Sequence, residues 1–515
     1  MIHSVDLHRD TYVDSVVALS GTRALRAVDG VDWAAAAMAT PGNLETLATE
    51  GFPAAVVAGA GANDLFVAVR AKSDDAIASA RAAGQAALFS ARDPGGAGSS
   101  AVEQLPRTIS EAVARAPETN VAVISVPGDY AALEAHKALS AGLHVLLFSD
   151  NVPVGAEVAL KTRAARLGRL VMGPGAGTAM LGHTCLGFAN VVETGRVSVV
   201  AAAGTGAQEA AALLDRWGNG ASHVIGLGGR DLTAAVGGVM ALTAMAGLVA
   251  DEKTDVILLV SKPPAPEVAQ VVLAAAAGKP LVAALIGLDP DAVDAPAGVV
   301  VTRTLEAGAV AALAAVGKAA PDPADGLVAG VREQIEALPA ARTLVRGLFS
   351  GGTLCYESLV VLADVLGPVH SNTPIDSRLG LPAPEHAHTC LDLGEEEYTK
   401  GCPHPMIDPE ARIELLRAEG ADPEVAAIIL DVVLGHGAHA DPAAELVPVC
   451  AAITAGGGPR IVVYVLGTGG DPQGFDRQRR AFAEAGCVVT ETAARASLAA
   501  AAIATRDPEL AAARL

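Results

Sequence analysis

The chain has 515 residues, 36 of them basic and 57 acidic, for a formal net charge of −21. At roughly 150 residues per domain, that length predicts three or four domains. The acidic balance excludes the basic footprint that nucleic-acid binding needs, so an anionic ligand must be caught locally by backbone amides or a few placed cations. Hydrophobic residues make up 51% of the chain but aromatics only 3%. The apolar mass is therefore Ala, Val and Leu, which suits helices packed closely on parallel sheets. The cysteines, at 185, 355, 390, 402, 450 and 487, show no pairing pattern and read as reduced, mostly core thiols of a cytoplasmic protein. The first residues lack a basic stretch followed by an apolar one, so no secretory signal is expected. Residues 232–250 are uncharged and close to the roughly 20 residues of a membrane span. Their Ala, Gly, Val and Thr content between Asp231 and Asp251 reads instead as a buried helix, and no membrane association is expected.

In chain order, residues 1–92 read as a small N-terminal α/β domain of βαβ type, with a ferredoxin-like fold as one alternative. Strands are expected at 31–38 and 64–69, and helices start at Pro41 and near Ser73. A Gly-, Ser- and Ala-rich run at 93–100 marks the boundary. Residues 101–190 carry buried-strand signals at 121–126 and 144–148 around a helix at 130–140, which is a parallel crossover unit. Residues 191–320 repeat the theme with strands near 197–202, 222–225, 256–260, 281–286 and 299–301. A proline-bearing linker with one short helix follows at 319–343. Residues 344–515 alternate again, with strands at 426–434 and 461–466 and a last helix at 493–504. The fold class is α/β, built on several open parallel sheets.

Open α/β sheets bind ligands at the carboxyl ends of their strands, where free amides and the helix dipole favour an anion. Two strand-to-helix loops have this form, Gly204-Thr205-Gly206 and Gly351-Gly352-Thr353. Each alone also reads as an ordinary turn with a threonine cap. The glycine-rich runs at 173–178 and 226–231 follow strand signals without matching a Walker lysine motif or a full dinucleotide fingerprint. Arg230 and Arg346 are candidates to neutralise an anion, since guanidinium suits bidentate contacts, and either reads equally as a surface ion pair. The cluster from His386 to Asp408 lacks a zinc spacing and reads as a solvated acidic loop, so no metal site is expected.

The order of loops, Val126-Pro127, Phe148-Ser149-Asp150-Asn151, Gly173-Pro174, Gly195-Arg196-Val197, Gly204-Thr205 with Glu209, and Gly226-x-Gly-Gly229, resembles the α-subunit of succinyl-CoA synthetase. Residues 391–394 (Leu-Asp-x-Gly), the helix from Asp408 and the strand at 428–434 resemble the carboxyl-terminal domain of its β-subunit. The fused arrangement, with Gly228-Gly229-Arg230-Asp231 and His404-Pro405-Met406-Ile407-Asp408, is similar to FdrA proteins over most of the chain. The resemblance implies a Rossmann-like CoA-binding-type domain at 101–190 and two flavodoxin-like domains at 191–320 and 344–515. It implies that the helices after Gly204-Thr205-Gly206 and Gly351-Gly352-Thr353 aim at one phosphate, with Gly229 and Arg230 beside it. Glu209 matches a glutamate that orients a phosphohistidine in the synthetase. Pro127, Ser149, Asp150, Asn151, Gly173 and Pro174 would face CoA.

The chain departs from the synthetase in ways that bear on chemistry. The phosphohistidine loop has no counterpart in 281–309, where Glu306 stands in its place. A similar-looking loop, Gly435-His436-Gly437-Ala438-His439, lies in the β-like segment, and reads either as a relocated phosphate carrier or as a ligand-binding or structural loop. No ATP-grasp domain and no CoA-binding glycine finger are visible, so CoA remains one possibility among the ligands. Three readings follow. The first is an enzyme subunit transferring a group through an acyl or carbamoyl phosphate to an acceptor, as FdrA relatives do in oxamate carbamoyl transfer, beside other subunits. The second is an acyl-CoA ligase subunit with a separate ATP-grasp chain. The third is a metabolite-binding scaffold.

Overall fold

A computed structural model describes residues 1–13, 15–89, 106–275, 278–336, 338–399 and 403–515. The boundary run at 93–100 lies outside the described residues. By packing, the chain divides into two compact units, Met1–Leu105 with Thr399–Pro403, and the remainder.

The smaller unit contains β1 (Ile2–His8), α1 (Ser15–Arg26), β2 (Val31–Met38), α2 (Pro41–Thr49), β3 (Leu65–Ala71) and α3 (Asp74–Phe89). β3 lies between β1 and β2, antiparallel to both. A strand inserted between two parallel neighbours is the split βαβ of ferredoxin-like folds. β3 is apolar from Leu65 to Val69 because both of its faces are covered there. Leu65, Val67 and Val69 enter a core with Leu25 and Ile77, while Phe66 and Ala68 enter another with Leu47, Phe52 and Val57. β1 escaped the sequence reading because Ile-His-Ser-Val-Asp-Leu-His mixes polar and apolar residues on both faces.

The larger unit begins with α4 (Ile109–Arg115), β4 (Val121–Ile124), α5 (Gly128–Ser140), β5 (His144–Leu147), α6 (Val154–Arg166) and β6 (Val171–Met172). β4, β5 and β6 form a parallel sheet in that order. A short hairpin, β7 (Thr178–Leu181) and β8 (Thr184–Gly187), leads into β9 (Thr194–Ala201), α7 (Gly204–Arg216), β10 (Ala221–Gly226), α8 (Val239–Ala250), β11 (Val256–Ser261), α9 (Pro266–Ala274), β12 (Leu281–Leu285), β13 (Val299–Thr302) and α10 (Leu305–Ala315). The hairpin joins this sheet through an antiparallel β7–β10 pair. That makes the sheet mixed at one edge, where the sequence suggested parallel strands only. The uncharged stretch at 232–250 ends in α8, and no described helix is long and apolar enough to cross a membrane.

After α11 (Leu327–Glu336) come β14 (Leu344–Phe349), α12 (Gly352–Leu366), β15 (Val369–Ser371), β16 (His388–Asp392), α13 (Glu396–Thr399), α14 (Glu410–Ala421), β17 (Val425–Val433), α15 (Pro442–Ala455), β18 (Arg460–Leu466), α16 (Phe475–Glu484), β19 (Val488–Thr490) and α17 (Ala493–Thr505). The two larger sheets share one core order, β10-β9-β11-β12-β13 and β16-β14-β17-β18-β19. Numbered within these five-strand cores, leaving out β15 and the β7–β8 hairpin, this is 2-1-3-4-5, the doubly wound flavodoxin order. The α-helices α7 and α10 of one sheet and α12 and α17 of the other meet in a single hydrophobic core. α17 is buried on nearly every side, which explains its alanines: small residues let helices approach closely on all faces. Within this core Glu306 of α10 is paired with Arg495 of α17, Oε1 to Nη2 at 2.6 Å, and Thr492 donates to Glu306 Oε2 at 2.6 Å.

Removing one partner of a buried pair leaves an uncompensated charge, at a cost of about 3–5 kcal/mol. Arg495→Met should destabilise the larger unit by that order, while Glu306→Gln with Arg495→Met should recover most of the loss. Urea unfolding followed by the fluorescence of Trp217, which lies in the same core, measures both.

Candidate functional site at the paired helix ends

The loops after β9 and β14 place the N-termini of α7 and α12 against each other. The Thr353 amide donates to Thr205 Oγ1 at 3.3 Å. A Cβ on Gly351 would lie 2.8 Å from Thr205 Cγ2, and one on Gly206 would lie 2.8 Å from Thr353 Cγ2. Glycine at both positions is therefore a condition of this approach. Thr205, Gly206, Gly351 and Thr353 are buried, Gly352 is half-buried, and Gly204 is exposed. Among the described residues no side chain caps α7, and its first residue, Gly204, is open to solvent at the rim of the paired ends.

The two ends are not equivalent. At α12 the protein supplies its own anion. Asp431 accepts from the Ser350 amide at 2.7 Å, the Ser350 hydroxyl at 3.0 Å and the Gly351 amide at 2.8 Å. Arg412 holds the same carboxylate at 2.8 Å. The expectation that Gly351 offers its amide to a ligand is thus corrected: Asp431 occupies it. Beside it stands Asp392, at the carboxyl end of β16. Its Oδ1 accepts from the Gly394 amide at 3.0 Å, and its Oδ2 lies 2.3 Å from where a Gly352 Cβ would be. Burial pushes the Asp392 carboxyl up to about 6, against the opposing effect of the Gly394 amide. His404 Nε2 is 2.7 Å from the Cβ position of Gly394. These residues belong to the stretch read from sequence as a solvated acidic loop. The structure instead buries Asp392 and largely covers His404, whose basicity burial lowers. Among the described residues no group of three or more His, Cys, Asp or Glu side chains is placed to hold a metal ion.

Behind the rim, α7 and α12 carry the same spacing, Gly204-Thr205 with Glu209 and Gly352-Thr353 with Glu357. Glu209 accepts from the Ala493 amide at 3.3 Å, at the start of α17, and Glu357 from the Leu305 amide at 2.7 Å, at the start of α10. Each carboxylate therefore caps the last helix of the opposite sheet. Both are fully buried, and among the described residues the second oxygen of each has no hydrogen-bond partner. Burial raises the Glu209 carboxyl to about 7, opposed by Arg216 and the Ala493 amide. Burial and then the proximity of Glu209 raise Glu357 well above the ordinary carboxylate range. Glu209 thus sits in the interior rather than facing the rim, and its twin Glu357 was missed in the sequence although the shared spacing signals it.

The remaining candidates fall in three places. His436 is exposed, its backbone bridged to Ala189 by the His436 amide donating at 2.7 Å. His439, half-buried, accepts from the Asp441 amide at 3.1 Å and lines a small cavity with Ser350 and Arg412. Both follow β17, the neighbour of β14, so they share its carboxyl edge. Pro127, Ser149, Asp150, Asn151, Gly173 and Pro174 gather at the carboxyl edge of β4, β5 and β6. Ser149 Oγ donates to Val126 O, the Gly175 amide donates to Ser149 O at 3.0 Å, and the Asn151 amide to Asp150 Oδ1 at 2.8 Å. Gly229 is exposed next to Arg230. Arg230 meets a carboxylate of the protein in place of a ligand: its Nε donates to Glu157 at 2.8 Å and its Nη2 to Val152 O at 2.8 Å. Glu157 in turn holds the buried Lys161, which also pairs with Asp231 at 2.8 Å. Arg346 is likewise engaged, with Glu419 at 2.8 Å.

Two sheets of one flavodoxin order, closed on paired helix ends, define a protein of CoA-ligase type. A CoA-ligase family model matches residues 348–503, and a model described as AllF, heavy metal-associated domain, matches residues 1–106. The uncharacterised protein YahF of Escherichia coli K12 is 38% identical over 503 residues, covering 95% of this chain and 96% of that protein. The chain belongs to this FdrA-like family of the CoA-ligase superfamily. The α-subunit 2 of an Archaeoglobus fulgidus ADP-forming succinate–CoA ligase is 32% identical over 126 residues, 24% of this chain and 44% of that subunit. An acetyl-coenzyme A synthetase from Candidatus Korarchaeum cryptofilum, solved with phosphate and ADP, aligns over 80% of this chain and 88% of its own at 17% identity, with a TM-score of only 0.30. The residues at 1–106 do not fit the metal in their family's description. No cysteine precedes Cys185. His3 and His8 leave opposite faces of β1, His3 stacked on Phe52 and His8 against Phe89, so they cannot share an ion.

The buried glutamates carry a pH signature. A carboxyl whose folded value is raised binds its proton more tightly in the folded state, so its contribution is complete below the unfolded value and is lost as pH rises towards the folded one. Stability should therefore fall between pH 4.5 and about 7. Thermal unfolding of Glu209→Gln across that range should show a flatter profile than the wild type.

Proposed function

We propose that the chain is an acyl-CoA-synthetase-like enzyme subunit that transfers an acyl or carbamoyl group from its phosphate to an acceptor. Membership of the CoA-ligase superfamily supports an enzyme or enzyme subunit, and the observation that carries the finer reading is the contact between Thr353 N and Thr205 Oγ1. It brings the starts of α7 and α12 together beside the exposed Gly204, which supports an anion site there with the helix dipole behind it. Such a terminus binds a phosphate group and stabilises the charge that develops as the phosphate leaves. Among the described residues no histidine hydrogen-bonds to either helix end, which favours phosphate on a substrate over phosphate on the protein. On this reading Gly204, Thr205 and Gly206 bind the phosphate, with Gly352 and Thr353 as the opposing wall. Residues 101–190, 191–320 and 344–515 act as three domains of one site, and further subunits deliver the acceptor to it.

A second reading is an acyl-CoA ligase subunit working with a separate ATP-grasp chain. It is favoured by the gathering of Pro127, Ser149, Asp150, Asn151, Gly173 and Pro174 on one strand edge, where CoA would lie. The exposure of His436, the candidate phosphate carrier, also favours it. At that edge Ser149 Oγ and the Asp150 carboxylate already have partners within the protein, so contacts to CoA would fall mainly to backbone amides.

Calorimetric titration separates the readings. Carbamoyl phosphate should bind the wild type and lose at least tenfold in affinity in Gly206→Val, whose side chain would push α12 away from α7. Tight CoA binding with no response to carbamoyl phosphate would favour the ligase.

A further inference from the structure

We propose that Asp392 is the catalytic base of the paired-helix site, an inference that rests on the reading of that site as an acyl- or carbamoyl-phosphate site. Its Oδ2 takes the proton of the acceptor, an amide or amine N–H or a thiol S–H, as the acceptor attacks the carbonyl carbon. A C–N or C–S bond forms from the acceptor's lone pair. The C–O bond to phosphate breaks, and its electron pair leaves on the phosphate oxygen, held by the α7 amides.

Position comes first. β16 is the neighbour of β14, so its carboxyl end emerges next to the start of α12. Gly352 lets the Asp392 carboxylate approach to where a Cβ would meet Oδ2 at 2.3 Å. One residue further on, Thr353 touches Thr205 of α7. The backbone of Asp392 is fixed on both sides by Asn372, whose Nδ2 donates to Asp392 O at 2.8 Å and whose Oδ1 accepts from the Asp392 amide at 2.9 Å. Such double anchoring holds a side chain within the tolerance that proton transfer demands.

Hydrogen-bond satisfaction then separates Asp392 from its neighbour. Asp431 has donors on both oxygens and an arginine partner, as a structural carboxylate should. Asp392 is 4% exposed, yet only Oδ1 accepts a hydrogen bond among the described residues. Unlike the second oxygens of Glu209 and Glu357, Oδ2 is not sealed in the interior, so a group from outside the fold can reach it and supply the missing donor. The groups that face it are Glu395 and Asp431, which disfavour its charge, Lys262, which favours it, and His404 beyond Gly394. With its carboxyl raised to about 6, it is ionised at neutral pH and basic enough to accept a proton.

The test is turnover of carbamoyl phosphate by the full chain with oxamate or CoA as acceptor, from pH 5 to 8, alongside calorimetric binding of carbamoyl phosphate. The wild-type kcat should rise through pH 6 as the base ionises. Asp392→Asn should lower kcat by about 10²–10⁴-fold, abolish that limb and leave carbamoyl phosphate affinity within about threefold. Should the Asn variant not fold, Asp392→Glu keeps a carboxylate and should retain the limb at a reduced, shifted rate. Wild-type turnover with an unchanged rate and limb in the folded variant would overturn the role of Asp392 alone. A wild type that neither binds nor consumes carbamoyl phosphate would overturn the reading of the site and the base with it.

Discussion

The larger unit depends on a crossed pair of carboxylate caps. Glu209 leaves one flavodoxin-like sheet to receive the first amide of α17 in the other, and Glu357 returns the contact to α10. A helix end carries unsatisfied donors and partial positive charge. A carboxylate there is favourable, but one buried without a second donor carries a desolvation penalty. The protein accepts that penalty twice, in mirror fashion, and the result is directional. A hydrophobic contact between the sheets would tolerate sliding, whereas a carboxylate on a single amide does not. The register set by these caps also sets the approach of α7 to α12, because Glu209 and Glu357 sit about one turn along the same helices that carry Thr205 and Thr353.

That internal symmetry makes the asymmetry at the rim informative. Two sheets with one strand order and one Gly-Thr-x-x-x-Glu spacing would be expected to present two equal anion sites. Asp431 fills the α12 end and Asp392 crowds it, while the first residue of α7, Gly204, stays exposed. In a chain of net charge −21, two further carboxylates beside an anion site would be a liability if both ends bound phosphate. They make sense if one end holds the anion and the other handles protons, since a base works best where the leaving charge is stabilised separately.

Much of the fold was legible because buried parallel strands read as short apolar runs between glycine-rich turns. The strands at 197–202, 256–260, 281–286 and 461–466 emerge within one to three residues of β9, β11, β12 and β18. β1 was not legible, having no clean alternation, and β7 and β8 are four residues each, too short for a period. The loops at Gly204 and Gly351 were legible from their place after a strand, and Glu209 through the resemblance. Glu357 stood in plain view at the same spacing. Asp392 and Asp431 were not legible, because burial of an aspartate is decided by which strands become neighbours, and β14 lies between β16 and β17. The partner of Arg230 was not legible for the same reason: Glu157 lies 73 positions earlier, on a helix that only the folded chain brings near.

The arginine's engagement bears on how the rest of the unit is assembled. Glu157 and Lys161 on α6 belong to the layer of β4–β6, while Arg230 and Asp231 belong to the layer of β9–β13. The fully buried Lys161 is paired with both Glu157 and Asp231 and also donates to Leu227 O at 2.9 Å, and Asp231 accepts from the first turn of α8. This polar network does between the first two layers what the glutamate caps do between the second and third. Each layer junction in the larger unit is thus held in register by buried polar contacts at helix ends, with alanine-rich packing supplying the adhesion around them. An enzyme whose site is assembled from loops of several layers needs that division of labour: packing alone would leave the carboxyl edges of the three sheets free to drift by the ångström that separates a bound phosphate from a transferred group.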